Sequence, residues 1–124
     1  MIAGLGTDII EVERVAEKIA RDSGFRELVF SPKEIEYCES KANKFEHYAA
    51  RFAAKEAFLK ALGTGWLSGI AFNEIEITHE ENGKPRLGLL GQTAKTVNNA
   101  GIGTISVSMS HLRLMASAVV IIEK

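Results

Sequence analysis

The segment from Phe45 to Leu62 constrains the fold most, because it is a long predicted helix that carries a carboxylate on its apolar face. At about 100° per residue, five apolar residues share that face: Phe45, Tyr48, Ala49, Phe52 and Leu59. Glu56 falls between Phe52 and Leu59, and Lys60 lies one turn further along the same side. A carboxylate in such a place loses solvation and needs a cation or hydrogen-bond donors. Two interpretations stay open: a Glu56–Lys60 pair that only supports the helix, or a functional carboxylate.

Composition predicts a soluble domain spanning residues 1–124. The chain is 46% hydrophobic, and its 15 basic and 16 acidic residues give a net charge of -1, so no global charge attracts nucleic acid or membrane. Cys38 is the only cysteine, which excludes an internal disulfide and a cysteine-rich zinc site. No basic region precedes an apolar run at the N-terminus, and Ala116–Ile122 is too short to cross a bilayer. We expect a cytoplasmic protein.

The order of predicted elements indicates an α+β fold with an antiparallel sheet, because helices come before and between hairpins. Ser31 and Glu34 form a capping box around Pro32, Gly63 is a natural C-terminal stop, and Asn82-Gly83 is a hairpin turn. The predicted helices are 11–22, 32–41, 45–62 and 92–100. The predicted strands are 1–5, ending at a break at Gly6, then 70–78, 85–90, 104–110 and 114–122, with a loop over 65–69.

Asp8 is the second candidate carboxylate, since it follows the first predicted strand. It either caps the helix that begins nearby or converges with Glu56. Two converging carboxylates repel each other unless a cation lies between them. Ligation by a few side-chain oxygens suits Mg²⁺, which keeps several waters and takes other ligands from substrate phosphates. Lys60 would then face the same phosphates and stabilise charge on a leaving group.

Anion-binding candidates lie on and after the long helix. Arg51 and Lys55 share a sector that either holds a phosphate or nucleotide or covers the core with aliphatic stems. Gly63-Thr64-Gly65 is able to form a small backbone nest for an anion, although a helix C-cap explains Gly63 equally well. No Walker sequence or dinucleotide fingerprint is present.

The first predicted helix carries a basic stripe. Arg14, Lys18 and Arg21 lie opposite its apolar face, where they are either solvated or dock the acidic face of a partner helix.

The three histidines, His47, His79 and His111, have no metal-binding spacing. Ser110 precedes His111, but no carboxylate is placed by the sequence to orient that histidine. A serine–histidine nucleophile is therefore weakly supported.

Five segments together resemble the holo-acyl-carrier-protein synthases, and the match covers essentially the whole chain. They are residues 6–10 (GTDII) with Arg14, residues 51–57 (RFAAKEA), residues 60–65 (KALGTG), residues 82–85 (NGKP) and residues 108–111 (SMSH). The sequence departs from the family pattern at Ala50, where glycine is common, and at His47-Tyr48. Neither departure touches the metal or phosphate positions.

The resemblance implies a function in fatty acid biosynthesis. Members transfer 4'-phosphopantetheine from coenzyme A to a serine of apo acyl carrier protein and release adenosine 3',5'-bisphosphate. It implies Mg²⁺ between Asp8 and Glu56, where the metal also holds the coenzyme A pyrophosphate. Our own hypothesis is that Glu56, or a water it orients, is the base and that Lys60 balances charge on the departing bisphosphate. The resemblance also implies a homotrimer with active sites between subunits.

The same resemblance assigns binding roles to the other motifs. Gly63, Thr64, Gly65, Lys84, Pro85, Ser110 and His111 are expected to contact coenzyme A, joining Arg51 and Lys55. Arg14, with Lys18 and Arg21, is expected to dock the carrier protein.

Two other functions remain open on the residues alone. A small oligomeric module that binds an acidic helical partner explains the basic stripe but leaves Asp8, Glu56 and Lys60 as coincidence. A metal-dependent hydrolase of nucleotide pyrophosphates uses the same carboxylates, with water replacing the carrier serine.

Overall fold

A long helix lies across a three-stranded antiparallel sheet in a computed structural model of the chain, which describes residues 1–21, 24–63 and 69–124. The strands are β1 (Ile2–Glu11), β2 (Ile75–His79), β3 (Pro85–Leu89), β4 (Thr104–His111) and β5 (Met115–Glu123). The helices are α1 (Val12–Arg21), α2 (Phe25–Val29), α3 (Pro32–Glu39), α4 (Lys44–Leu62) and α5 (Gly91–Asn99), with a 3-10 helix at Phe72–Glu74. The α+β prediction is confirmed.

The strands form two antiparallel sheets, ordered β1-β5-β4 and β2-β3. In the larger sheet, Ala118 of β5 lies opposite both Asp8 of β1 and Met109 of β4. Ala116 lies opposite both Ile10 and His111. Directly opposed residues share a face of the sheet. Asp8 and His111 therefore both project from the face that packs against α4, Asp8 from the edge strand β1 and His111 from the edge strand β4.

Close packing of α4 against β1 depends on glycine. A Cβ at Gly4 would collide with the Ala61 carbonyl oxygen, and one at Gly6 with the Ala57 carbonyl oxygen. The helix therefore approaches the strand backbone more closely than any larger residue would permit. The predicted break at Gly6 is wrong: β1 continues to Glu11.

Three predictions made from local sequence signals are confirmed: the capping box of α3, the end of α4 and the hairpin turn. Ser31 accepts from the Glu34 amide while the Glu34 carboxylate accepts from the Ser31 amide, which confirms the capping box of α3. Gly63 ends α4 in the left-handed region, with φ of 78°. Gly83 adopts φ of 87° in the hairpin between β2 and β3.

Other boundaries differ from the predictions. Helix α2 was not predicted. Residues 70–74, predicted as strand, instead precede β2 as two irregular residues and the 3-10 helix Phe72–Glu74. Most of the predicted 65–69 loop lies outside the described residues. No helix within the described ranges is long and apolar enough to cross a membrane.

Candidate active site

Asp8 and Glu56 line one pocket of about 330 Å³ between β1, α1 and α4. Asp8 lies in the middle of β1, so the alternative in which it caps α1 is wrong. Burial raises the pKa of the Glu56 carboxyl above its usual value, and the negative charge of Asp8 raises this pKa further. The structure thus brings two mutually repelling carboxylates to one cavity, which agrees with the second of the two interpretations of Asp8.

Lys60 lies beside the two carboxylates. Its Nζ donates to Asp8 Oδ1 at 3.0 Å and to the Thr7 carbonyl oxygen at 3.0 Å. The side chain is more than half exposed, and its positive charge partly opposes the rise in the Glu56 pKa. The interpretation of Glu56 and Lys60 as a buried helix-supporting pair is therefore wrong, because the lysine is at the surface and its ion pair is with Asp8.

The carboxylate pair suits a divalent cation that is only partly coordinated by protein. Within residues 1–21, 24–63 and 69–124, no group of three or more metal-binding side chains is gathered. Asp8 and Glu56 are the two carboxylates at this pocket that could hold such a cation, with its remaining positions left to water and substrate oxygens. Mg²⁺ tolerates such a set, whereas structural zinc sites need four protein ligands.

The basic stripe of α1 adjoins this pocket. Arg14 and Lys18 line the cavity that contains Asp8 and Glu56, and Arg21 continues the row along the exposed face of the helix. Val12 and Val15 are buried and form the apolar face of this helix. A partner seated on this helix would therefore lie directly beside the carboxylates.

The three histidines form one cluster with Tyr37 at the N-terminal half of α4, in which His47 and His79 contact Tyr37 and His111 contacts His47. His79 stacks on Tyr37 with ring centroids 4.9 Å apart, and His47 meets the Tyr37 ring edge at 5.6 Å. His47 also contacts His111, at 4.9 Å between centroids. Burial lowers the pKa of His47 and of His79, and nearby positive charges lower both further.

Arg51 lies in the same cluster. Its guanidinium carbon is 4.3 Å from the centroid of the Tyr37 ring, and the residue is only 1% exposed. Its Nε and Nη2 have no hydrogen-bond partner among the described residues. Buried unpaired donors of this kind call for an explanation, because burying them without a partner costs free energy.

Lys55 does not belong to a ligand site, which corrects its prediction as a coenzyme A contact. Its Nζ is fully buried and lies 2.6 Å from Glu34 Oε1. It also lies 2.9, 2.7 and 2.6 Å from the carbonyl oxygens of Val29, Phe72 and Ile75. These acceptors already occupy all three hydrogens of the amine, so Lys55 joins α3, α4 and the start of β2 and has no donor for a phosphate.

Ser110 and His111 project from opposite faces of β4 because they are neighbours on a strand. His111 Nδ1 lies 2.8 Å from Glu46 Oε1, so a carboxylate does orient this histidine. Sequence analysis missed Glu46, which lies 65 positions away. Its place in the first turn of α4 gave no signal, since acidic residues are common there.

The remaining predicted contacts fall in different places. Lys84 and Pro85 are at the hairpin of the smaller sheet, where Pro85 pairs with His79 and so adjoins the histidine cluster. Gly63 follows the end of α4. Thr64 and Gly65 lie outside the described residues.

The fold is that of a transferase superfamily. The model of the 4'-phosphopantetheinyl transferase superfamily matches residues 4–107, and the chain belongs to this superfamily. Within it, the chain belongs to the holo-[acyl-carrier-protein] synthases. The synthase of Cytophaga hutchinsonii is 52% identical over 126 residues, covering 100% of this chain and 99% of the relative.

Solved structures agree with this assignment. The holo-[acyl-carrier-protein] synthase from Neisseria meningitidis matches with a TM-score of 0.91 and 34% identity, covering 100% of both chains. The synthase from Bacillus anthracis, solved in complex with CoA (3',5'-ADP), matches with a TM-score of 0.81 and 32% identity, covering 100% of this chain and 98% of that one.

Proposed function

We propose that this chain transfers 4'-phosphopantetheine from coenzyme A to a serine of apo acyl carrier protein. The serine oxygen forms a new bond to the phosphorus next to pantetheine, and the pyrophosphate bond breaks. The leaving group is adenosine 3',5'-bisphosphate. The observation that carries this proposal is the convergence of Asp8 and Glu56 in a pocket that also touches the basic helix α1.

Asp8 and Glu56 would hold Mg²⁺ in this reaction. Their two oxygen donors and the charge repulsion between them fit a hard cation with open coordination positions. When bound, the ion would neutralise the pyrophosphate and polarise the phosphorus.

Glu56 is the proposed base for the serine proton, directly or through a water that it orients. The Glu56 oxygen that does not hold the metal would accept this proton or orient the water. Lys60 stands beside the same carboxylates and would balance charge on the departing bisphosphate.

The proposed coenzyme A contacts fall near the histidine cluster and the end of α4. Arg51, Pro85 and His111 adjoin that cluster, with Lys84 next to Pro85. A phosphate oxygen within reach of Arg51 would satisfy its two unpaired nitrogens. Ser110, Gly63, Thr64 and Gly65 remain proposed contacts on the resemblance alone.

The proposed carrier site is the stripe of Arg14, Lys18 and Arg21. Its exposure and its place at the rim of the carboxylate pocket support this role. An acidic helix docked there would present its serine to Glu56, so that specificity comes from a folded partner.

We also propose a homotrimer with sites between subunits. The sheet face away from α4 carries exposed apolar side chains: Leu5 is 62% and Ile9 64% exposed, and Val119 and Ile121 lie beside them on β5. An apolar patch of this kind suits an interface. We place the trimer, a single transferase domain per subunit, in the cytoplasm.

Replacing the proposed base tests the function. Glu56→Ala is expected to abolish transfer to the carrier while leaving the far-UV circular dichroism spectrum unchanged. Glu36→Ala, an exposed glutamate of α3, is the matched control and should retain full turnover. Near-normal turnover of Glu56→Ala would refute the assignment.

Two further results would favour other functions. Release of bisphosphate from coenzyme A without a carrier would indicate a hydrolase. Tight binding of a carrier without metal or turnover would indicate a binding module.

A further inference from the structure

Glu46 and His111 form a hydrogen-bonded pair that joins the two layers of the fold. Glu46 is in the first turn of α4, and His111 is the last residue of β4. Glu46 Oε1 lies 2.8 Å from His111 Nδ1, and neither side chain is more than a third exposed. The pair sits at the opposite end of α4 from Glu56, ten residues or about 15 Å along the helix axis.

The direction of this hydrogen bond follows from the carboxylate. The bond to His111 lowers the pKa of Glu46, so the carboxyl is ionised at neutral pH and only accepts. Nδ1 of His111 therefore carries the hydrogen, which leaves Nε2 as the ring nitrogen available to a ligand. The His47 ring packs against the same imidazole at 4.9 Å, so two neighbours restrict its rotation.

We propose that Glu46 is a positioning residue that fixes the His111 imidazole so that Nε2 faces a phosphate group of coenzyme A. This inference rests on the proposed function, in which His111 contacts coenzyme A. His111 borders a cavity of about 330 Å³, which Ser110 and Ser117 of the neighbouring strand positions also line. Glu46 also balances the charge of an imidazolium, the form that donates from Nε2 to an anionic oxygen.

A purely structural pair would behave differently. If the contact only joined α4 to β4, its loss would lower stability and leave the affinity of the folded protein for coenzyme A unchanged. A positioning role instead acts through His111 alone, so the effect of removing Glu46 should vanish once the imidazole is gone.

A double-mutant cycle separates these roles. The variants are Glu46→Ala, His111→Ala and the double variant, with Glu46→Gln as the conservative replacement that keeps an acceptor and Glu36→Ala as the control. The probe is coenzyme A with Mg²⁺, titrated by calorimetry, because binding is measurable whether or not the chain transfers. The KM for coenzyme A and kcat are measured in parallel with apo acyl carrier protein.

We expect Glu46→Ala to weaken coenzyme A binding about tenfold, the scale of one charge-assisted hydrogen bond. Its kcat should stay within about twofold, since the pair is remote from Glu56. Glu46→Gln should recover most of the affinity for coenzyme A. In the His111→Ala background, Glu46→Ala should weaken coenzyme A binding by less than about a further twofold. The nitrogen-15 shifts of His111 should show a protonated Nδ1 that is lost in Glu46→Ala.

Several results would overturn the inference. The inference is wrong if folded Glu46→Ala binds coenzyme A with wild-type affinity. It is also wrong if Glu46→Ala weakens coenzyme A binding equally in the wild-type and the His111→Ala backgrounds. Failure of the wild type to bind coenzyme A would overturn it together with the proposed function. Wild-type binding without transfer would refute the proposed function alone, and the binding cycle would still decide the role of Glu46.

Discussion

Replacing Lys55 by methionine should destabilise the protein severely without touching a ligand site. Methionine keeps much of the aliphatic volume but removes a buried amine that lies within 2.9 Å of one carboxylate and three carbonyl oxygens. Within the described part of the chain, Glu34 would then keep the backbone amides of Ser31 and Ile77 as its donors, at 2.9 and 3.0 Å. Its buried charge would be uncompensated.

The expected loss is about 3–5 kcal/mol in the free energy of unfolding, the range for breaking a buried ion pair by removing one partner. The total free energy of unfolding of a domain of this size is roughly 5–15 kcal/mol, so the variant should be only marginally folded at 25 °C. Adding Glu34→Gln should recover about 1–3 kcal/mol, because the amide is neutral yet still accepts from the Ser31 amide.

Urea denaturation followed by circular dichroism measures this loss. Lys44→Met is the matched control, since Lys44 is on the same helix but pairs with Glu39 at 3.3 Å near the surface. It should cost less than about 1 kcal/mol. Equal stabilities for Lys55→Met and Lys44→Met would refute this reasoning, and a stable Lys55→Met that no longer binds coenzyme A would restore the ligand role.

Three further predictions concern packing, pH and docking. Gly6→Ala should cost at least about 2 kcal/mol by urea denaturation, because its Cβ meets the Ala57 carbonyl, whereas Gly88→Ala has room and should change little. Burial lowers the pKa of His47, so the unfolded state binds its proton first and the free energy of unfolding should fall as pH drops below about 6.5. His47→Phe should reduce this pH dependence, measured by urea denaturation at several pH values. An unchanged dependence of the free energy of unfolding on pH would count against this role of His47. Arg14→Glu should raise the KM for the carrier and reduce its salt dependence without changing coenzyme A affinity; the reverse pattern would refute docking on α1.

Elements set by local signals were predictable from the sequence. The capping box at Ser31, the stop at Gly63 and the Asn82-Gly83 turn act within a few residues, so their outcomes depend little on the rest of the fold. Gly6 was misread because a glycine that breaks a strand and one that admits a helix look alike until the packing partner is known.

The same distinction between local signals and tertiary packing applies to the residues of the candidate site. The apolar surroundings of Glu56 gave a signal within one helix. Asp8 was a candidate from its place after the first predicted strand, but its local sequence did not distinguish a helix cap from convergence with Glu56. Lys55 and Glu46 were misjudged or missed because their partners, Glu34 and His111, are brought to them only by tertiary folding. The charge of a side chain alone does not reveal whether it faces solvent, a ligand or a buried partner.

The most direct test of the proposed activity is the mass of the carrier protein. Apo acyl carrier protein would be incubated with this chain, coenzyme A and Mg²⁺, beside a sample containing a chelator, and analysed as an intact protein by mass spectrometry. We expect a gain of one phosphopantetheinyl group that depends on the metal. No gain, with this chain folded and the carrier modified by an established synthase, would contradict it.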